Sequence, residues 1–199
     1  MTAELRESGE LIVVSGPSGV GKTTLCEVLL ARPEFARVIT CTTRSPRPAE
    51  ENGKDYIFLS RSDFESGIAT GRFLEHAVVH GNLYGTPRDQ VEAGIAAGRK
   101  VLLNIDVQGA RQVRASGIDR TARVVTIFIA PPSLEVLRER LVARSSDSAR
   151  DVDRRLDVAK QELAEQEFYD HVVTNDHLER AVRDLETLIL EPGQRDLQA

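Results

Sequence analysis

Residues 16–23 read GPSGVGKT, with the β-rich run LIVVS at 11–15 before them and a helical pattern after. The octapeptide fits G-x-x-x-x-G-K-[ST] at every fixed position, in the strand–loop–helix context that the motif requires. Gly16, Gly19 and Gly21 let the backbone turn so that N–H groups converge on phosphate oxygens, and the helix that follows adds its positive end. Lys22 can reach the β- and γ-phosphates, and the Thr23 hydroxyl is the natural Mg²⁺ ligand. A plain glycine-rich connector is the alternative, and the matching context argues against it. The run therefore points to a nucleoside triphosphate without naming the reaction. The dinucleotide pattern G-x-G-x-x-G is absent. Residues 52–55, NGKD, have the composition of a guanine-reading N-K-x-D element in the wrong order.

Around this loop, short apolar runs alternate with helical patterns. That alternation predicts an α/β fold: a parallel sheet of about five strands flanked by helices on both faces. Strands are expected at 11–15, 38–41, 100–105, 124–129 and 171–174. Helices are expected over 22–31, from 100–105 onward to near Gly117, from Ser133, up to about Tyr169, and over 178–190. The segment between is different in character. Strands at 56–59 and 73–80, a turn at Gly81-Asn82 and a short helix with Ser62 and Glu65 as capping box suggest a small mixed insert. Thr86 as N-cap, Pro87 at the first helical position and Gly98 as stop frame the next helix. The run RSSDSARDVDRR at 144–155 is charged throughout and reads as a solvated hinge and lid. The chain is thus expected to be one domain, with a core of 9–42, 88–143 and 156–190, a small mixed α/β insert at 43–87 and a helical lid at 144–155.

Several function classes drop out. The longest apolar runs, 11–14 and 124–129, are strand-sized and far below a membrane span. The first ten residues lack a signal-peptide layout, so a cytoplasmic protein is expected. Cys26 and Cys41 cannot form a secreted disulfide framework and read as free thiols. With 26 basic and 31 acidic residues the net charge is −5, which argues against a general nucleic-acid surface. His76 and His80 lie four apart in a strand-like run, with no third ligand apparent, so no zinc site is expected.

Anion binding must then come from locally placed arginines. Phosphoryl transfer to a phosphate acceptor needs little base catalysis, because the acceptor oxygen is already largely ionised at pH 7. It needs positive charge that holds two polyanions together and stabilises the moving group, for which arginine is suited. Arg44 and Arg47 stand in TTRSPRP, while Arg140 and Arg144 are four apart on one helix face, with Arg155 eleven residues beyond. Solvated surface arginines are the plainer reading of each. Likewise Tyr56 and Tyr84 could be core-edge aromatics, Glu75 an exposed strand residue and Asp106 a helix N-cap.

From about Gly9 to Leu190 the chain resembles the guanylate kinases, the ATP:GMP phosphotransferases among P-loop nucleoside monophosphate kinases. The carrying motifs are GPSGVGKTT, TCTTRSPRPAEENGKDYIFL, FLEHAVVHGNLYGTP, LLNIDVQGARQV, IFIAPPSLEVLRERLVAR and VVTND, in family order and spacing. The resemblance implies Mg²⁺-dependent transfer of the ATP γ-phosphoryl group to GMP, in purine nucleotide metabolism and GMP recycling. ATP would be held by Gly16, Pro17, Ser18, Gly19, Val20, Gly21, Lys22, Thr23 and Thr24, with Asn175 near the adenine. Arg44, Arg47, Tyr56 and Tyr84 would hold the GMP phosphate. Glu75 would accept from the guanine ring and amino N–H groups, with Thr40 and Thr86 supplying hydroxyls and Asp106 completing the GMP side. Lys22, Arg44, Arg140, Arg144 and Arg155 would serve transfer, and Mg²⁺ would be held by Thr23 and, through water, Asp106. The family usually has an acid at both ends of the triplet 104–106. Here Asn104 can hydrogen-bond but brings no charge.

ATP and GMP are thus the expected partners, with dGMP a further acceptor because nothing visibly reads the 2′-hydroxyl. No nucleic acid or membrane is expected, and monomer and homodimer both stay open. A kinase for AMP or dTMP is the nearest rival, against which Glu75 and TTRSPRP argue. A catalytically dead peptide-binding module is another, against which the intact phosphate loop argues.

Overall fold

The computed structural model describes residues 9–79, 81–144 and 149–190. Its strands are β1 (Glu10–Ser15), β2 (Phe35–Arg37), β3 (Cys41–Thr42), β4 (Ile57–Phe58), β5 (Phe73–Val79), β6 (Asn82–Pro87), β7 (Lys100–Asn104), β8 (Arg123–Ala130) and β9 (His171–Thr174). Its α-helices are α1 (Lys22–Leu30), α2 (Arg61–Ala69), α3 (Arg88–Ala96), α4 (Val107–Ala115), α5 (Leu134–Arg144), α6 (Ala149–Leu163) and α7 (Leu178–Leu190). A five-stranded sheet runs in the order β2-β7-β1-β8-β9, with β2/β7 and β8/β9 parallel. A second sheet of four strands runs β4-β3-β6-β5 and is mixed: β3/β4 is parallel, while β3/β6 and β5/β6 are antiparallel.

Contacts divide the chain into two compact units. One comprises the chain up to Leu11, Glu34–Leu103 and Gln108–Val124; the other comprises Ile12–Pro33, Asn104–Val107 and the chain from Val125 onward. In the second unit, fully buried Ile12, Val13, Leu25, Leu29, Ile127, Phe128, Ile129, Leu137 and Leu185 form an aliphatic core. With no Trp in the chain, branched side chains do this filling. In the first unit Cys41, Phe64, Phe73 and Leu83 form a smaller cluster, with the Phe64 and Phe73 rings stacked 4.3 Å apart. Gly85 lies beneath them, where a Cβ would come within 3.0 Å of both rings.

Three local expectations are corrected. The strand expected at 38–41 is two pieces: β2 pairs with β7 and β3 with β6, and the stretch between passes from one sheet to the other. There the Ile39 N–H donates to Gln90 Oε1 (3.0 Å) rather than to a strand. The cap of α2 is Ser60, whose hydroxyl accepts from the Asp63 N–H at 3.1 Å, while Glu65 pairs with Arg61. Thr86 is no N-cap. It belongs to β6, which runs to Pro87, and α3 begins one residue later. Residues 149–155, within the helical lid expected at 144–155, are the start of α6. Val152 and Ala159, seven apart, are buried and give the helix its inner stripe. Residues 145–148 of that lid lie outside the described residues, as does His80 of the strand expected at 73–80.

Candidate nucleotide-binding site

In the second unit β1 ends at Ser15 and α1 begins at Lys22, so residues 16–21 form the loop. Gly16 (φ 137°) and Gly21 (φ 100°) both require positive φ. A Cβ at Gly16 would lie 2.3 Å from the Ile129 carbonyl oxygen, and one at Gly21 would lie 2.5 Å from Asn175 Nδ2. The first turn of α1 carries no acidic residue, so its free N–H groups keep their full positive character. We expect Gly16→Ala to destabilise the fold by about 1–3 kcal/mol, a drop in Tm of several degrees. It should also abolish detectable ATP binding; thermal melting and titration calorimetry check the two parts.

Lys22 Nζ donates to the carbonyls of Gly16 (2.5 Å) and Pro17 (3.0 Å), curled back on its own loop. Burial pulls its pKa below the usual lysine value, and the carboxylates of Glu162 and Asp106 push in the other direction. Thr23 is exposed at the helix start, and Asn104 Nδ2 donates to its hydroxyl at 3.5 Å. Ser15 Oγ donates to Ile105 O (2.8 Å) and the Ile105 N–H to Val14 O (3.2 Å). Those two bonds fix the triplet 104–106 beside the loop, with Asp106 exposed.

Asn175, 6% exposed, donates through Nδ2 to Val20 O at 2.7 Å. Arg140 reaches three carbonyls, Val20 (3.4 Å), Asn175 (2.9 Å) and Asp176 (3.3 Å). Arg140 and Asn175 thus brace the loop, and with Gly19, Thr24 and Leu178 they line a hollow of about 220 Å³. Arg155 is half-buried on α6, one turn before buried Ala159 and two before Glu162 on the same face. The Arg144 side chain lies outside what is described. Glu162 is a site residue that local sequence did not single out. Burial raises its carboxyl pKa, with the positive charge of Lys22 opposing. Its only sequence signal is an acid ten residues after Val152 on the buried stripe. Both cysteines are free and buried, and burial pushes the Cys26 thiol up to about 12, which leaves it no nucleophilic part.

The first unit gathers a second set. Arg44 grips Glu50 through Nη2 to both carboxylate oxygens (2.7 and 2.9 Å), and the Arg47 N–H donates to the same carboxylate at 2.8 Å. The Arg44 guanidinium lies 5.4 Å from the centre of the Tyr56 ring, which meets Tyr84 edge-on at 6.1 Å. Hydrogen bonds to Glu50 and Tyr84 raise the Arg44 pKa further above its ordinary value, and Arg44 with the Arg47 N–H holds the Glu50 carboxyl below the usual range. Arg44, Arg47, Tyr56 and Tyr84 are therefore one cluster that already holds an anionic group. Glu50, which looks like an ordinary charge in the run PAEENGK, was not singled out.

Glu75 is not the exposed strand residue of the plainer alternative: it is 6% exposed. Thr86, its register partner across β5/β6, is 2% exposed and donates its hydroxyl to Glu75 Oε1 at 2.5 Å. Thr40, half-buried, directly precedes β3, and its carbonyl accepts from the Ile57 N–H at 2.9 Å. Among the described residues no group of three or more His, Cys, Asp or Glu side chains could hold a metal ion. No helix among them is long and apolar enough to cross a membrane.

Comparison with known proteins gives one answer. The guanylate kinase family model matches residues 8–191. The chain is 46% identical to the guanylate kinase of Symbiobacterium thermophilum over 97% of its length and 90% of that relative. It is 51% identical to that of Rubrobacter xylanophilus, over 87% of this chain and 89% of the relative. Among solved structures, the guanylate kinase of Anaplasma phagocytophilum superposes with a TM-score of 0.72 at 34% identity, covering 95% of this chain and 88% of that one.

Proposed function

The chain belongs to the guanylate kinase family, and from that premise we propose that it transfers the γ-phosphoryl group of ATP to GMP, giving ADP and GDP. The observation that carries the choice of acceptor is Glu75: a nearly buried carboxylate next to a buried hydroxyl, in the unit that also holds the Arg44 cluster. A buried carboxylate is costly unless donors surround it. Guanine brings two, N1–H and N2–H₂, where adenine brings none.

The triphosphate lies along the loop from Gly16 to Thr24. Lys22 leaves the Gly16 and Pro17 carbonyls for the β- and γ-oxygens, exchanging two neutral acceptors for charged ones. Arg140 and Asn175 keep the loop in place on the adenine side. Arg155, with Arg144, bears on the transferring group from the lid at 144–155. Arg44, Arg47, Tyr56 and Tyr84 take the GMP phosphate in the insert at 43–87. Glu50 then remains as the carboxylate that orients Arg44. Glu75, Thr40 and Thr86 take the base. The acceptor phosphate is already ionised, so none of these residues acts as a general base. An exposed hydroxyl (Thr23) and an exposed carboxylate (Asp106) are hard oxygen donors of the kind Mg²⁺ accepts while keeping several waters. When bound with ATP, Mg²⁺ would supply charge neutralisation across the β- and γ-phosphates. The protein acts in the cytoplasm on free nucleotides.

The arginine sets should separate kinetically. Arg44→Ala or Arg47→Ala is expected to raise KM for GMP by an order of magnitude or more with a smaller change in kcat. Arg144→Ala or Arg155→Ala is expected chiefly to lower kcat. Steady-state kinetics with each substrate varied checks this, and one common pattern for both pairs would remove the division. The function itself is tested by ADP release with ATP and a panel of GMP, dGMP, AMP and dTMP. GMP and dGMP should be used and AMP and dTMP should not; turnover of none would leave a binding module.

A further inference from the structure

β5 is an outer strand of the four-stranded sheet, so one edge of its backbone has no strand partner. At His76 that edge is nonetheless satisfied. The His76 N–H donates to Gln112 Oε1 at 3.0 Å, and Gln112 Nε2 donates to the His76 carbonyl at 2.8 Å. A single side-chain amide from α4 thus makes the two bonds that a neighbouring strand would make. The residue gripped is the one directly after Glu75. The grip also falls just after a register irregularity between Phe73 and Glu75, where β5 departs from regular pairing with β6. Bulges of this kind re-aim a side chain and leave the strand locally without its ladder support. Here the re-aimed side chain is Glu75, turned onto Thr86.

We propose that Gln112 is a positioning residue for base recognition: its amide pins the β5 backbone at His76 and thereby fixes the direction of the Glu75 carboxylate. The proposal rests on the reading of Glu75 as the guanine acceptor. The orientation of the amide is set by its two partners, since only the carbonyl oxygen can accept from the N–H and only the nitrogen can donate to the carbonyl. Gln112→Met keeps the side-chain length and removes both bonds. Gln112→Glu keeps an acceptor for the His76 N–H but sets a carboxylate oxygen against the His76 carbonyl, so it loses one bond and adds a repulsion.

The test is kcat/KM for GMP and AMP, with KM for ATP, on wild type, Gln112→Met, Gln112→Glu, Glu75→Gln and the double variant Glu75→Gln with Gln112→Met. For Gln112→Met we expect KM for GMP to rise about tenfold or more, since small displacements of a positioning group cost this much, with KM for ATP unchanged. The GMP:AMP preference should fall by a similar factor, and Gln112→Glu should lower it at least as far. In the Glu75→Gln background, Gln112→Met should cost no further preference, because the carboxylate it aims is gone. A lowered Tm with KM for GMP and the GMP:AMP preference at wild-type values would show a merely structural bond and overturn the proposal. So would full additivity in the double variant. If Gln112→Met does not fold, Gln112→Glu decides by the same readouts. Should Glu75→Gln alone keep the wild-type preference, the reading of Glu75 fails, and that failure is separate from one in which Glu75→Gln loses the preference while both Gln112 variants keep it.

Discussion

Lys22→Ala is expected to lower kcat by about 10²-fold or more while the protein stays folded, because preorganised charge on the transferring group is the main catalytic resource of such a site. The geometry explains both halves of that result. Lys22 Nζ sits on two loop carbonyls at the start of α1, where a phosphate-bearing ligand offers stronger, charged acceptors at the same place. Its ammonium is desolvated enough for its pKa to be lowered, so removing it relieves a burial cost along with two hydrogen bonds. Stability should therefore change little. Steady-state turnover together with a melting curve checks this, and a folded variant with near wild-type kcat would remove Lys22 from the transfer step.

Glu75→Gln is expected to reduce kcat/KM for GMP by about 10³-fold. Each charge-assisted hydrogen bond in a closed site is worth roughly 1.5–3 kcal/mol, and an unsatisfied partner costs a similar amount. Two bonds, to N1–H and N2–H₂, supply enough for that factor. The glutamine keeps the shape but presents one acceptor oxygen and sets an NH₂ against a donor of the base. It also changes the contact with Thr86, whose hydroxyl now donates to Glu75 Oε1. GMP saturation curves on the variant measure the loss, and retention of wild-type efficiency would shift base recognition to the hydroxyls of Thr40 and Thr86.

What could be read from the chain follows the range of the interactions involved. The phosphate loop is a local object: its glycines, Lys22 and Thr23 lie within eight residues, and strand, loop and helix stand as the spacing predicts. The middle of the five-stranded sheet was legible for the same reason, since β1, β7 and β8 are each built on a largely apolar run. Thr86 was misread because Thr-Pro ahead of a helical pattern is a strong local N-cap signal. What overrides it is a pairing with Glu75, eleven residues away across a hairpin. The stretch 38–41 looks like one strand, although its ends belong to different sheets. In α6, dense charge hid a stripe of only Val152 and Ala159, and with it the inward face of Arg155 and Glu162. Glu50 and Gln112 gave no signal at all. Each looks like a solvated polar residue until its partner, Arg44 six residues before or His76 thirty-six residues before, is placed beside it.

The claim that joins fold to function is that one buried carboxylate selects guanine. It is met most directly by kcat/KM for GMP, IMP and AMP on wild type and Glu75→Gln. IMP keeps N1–H and lacks the 2-amino group, so on wild type it should fall between GMP and AMP, with GMP ahead of AMP by about 10³-fold or more. On Glu75→Gln the three should draw together, with GMP losing most and AMP unchanged or slightly raised. An unchanged GMP:AMP ratio in the variant, or IMP equal to GMP on wild type, would contradict the account.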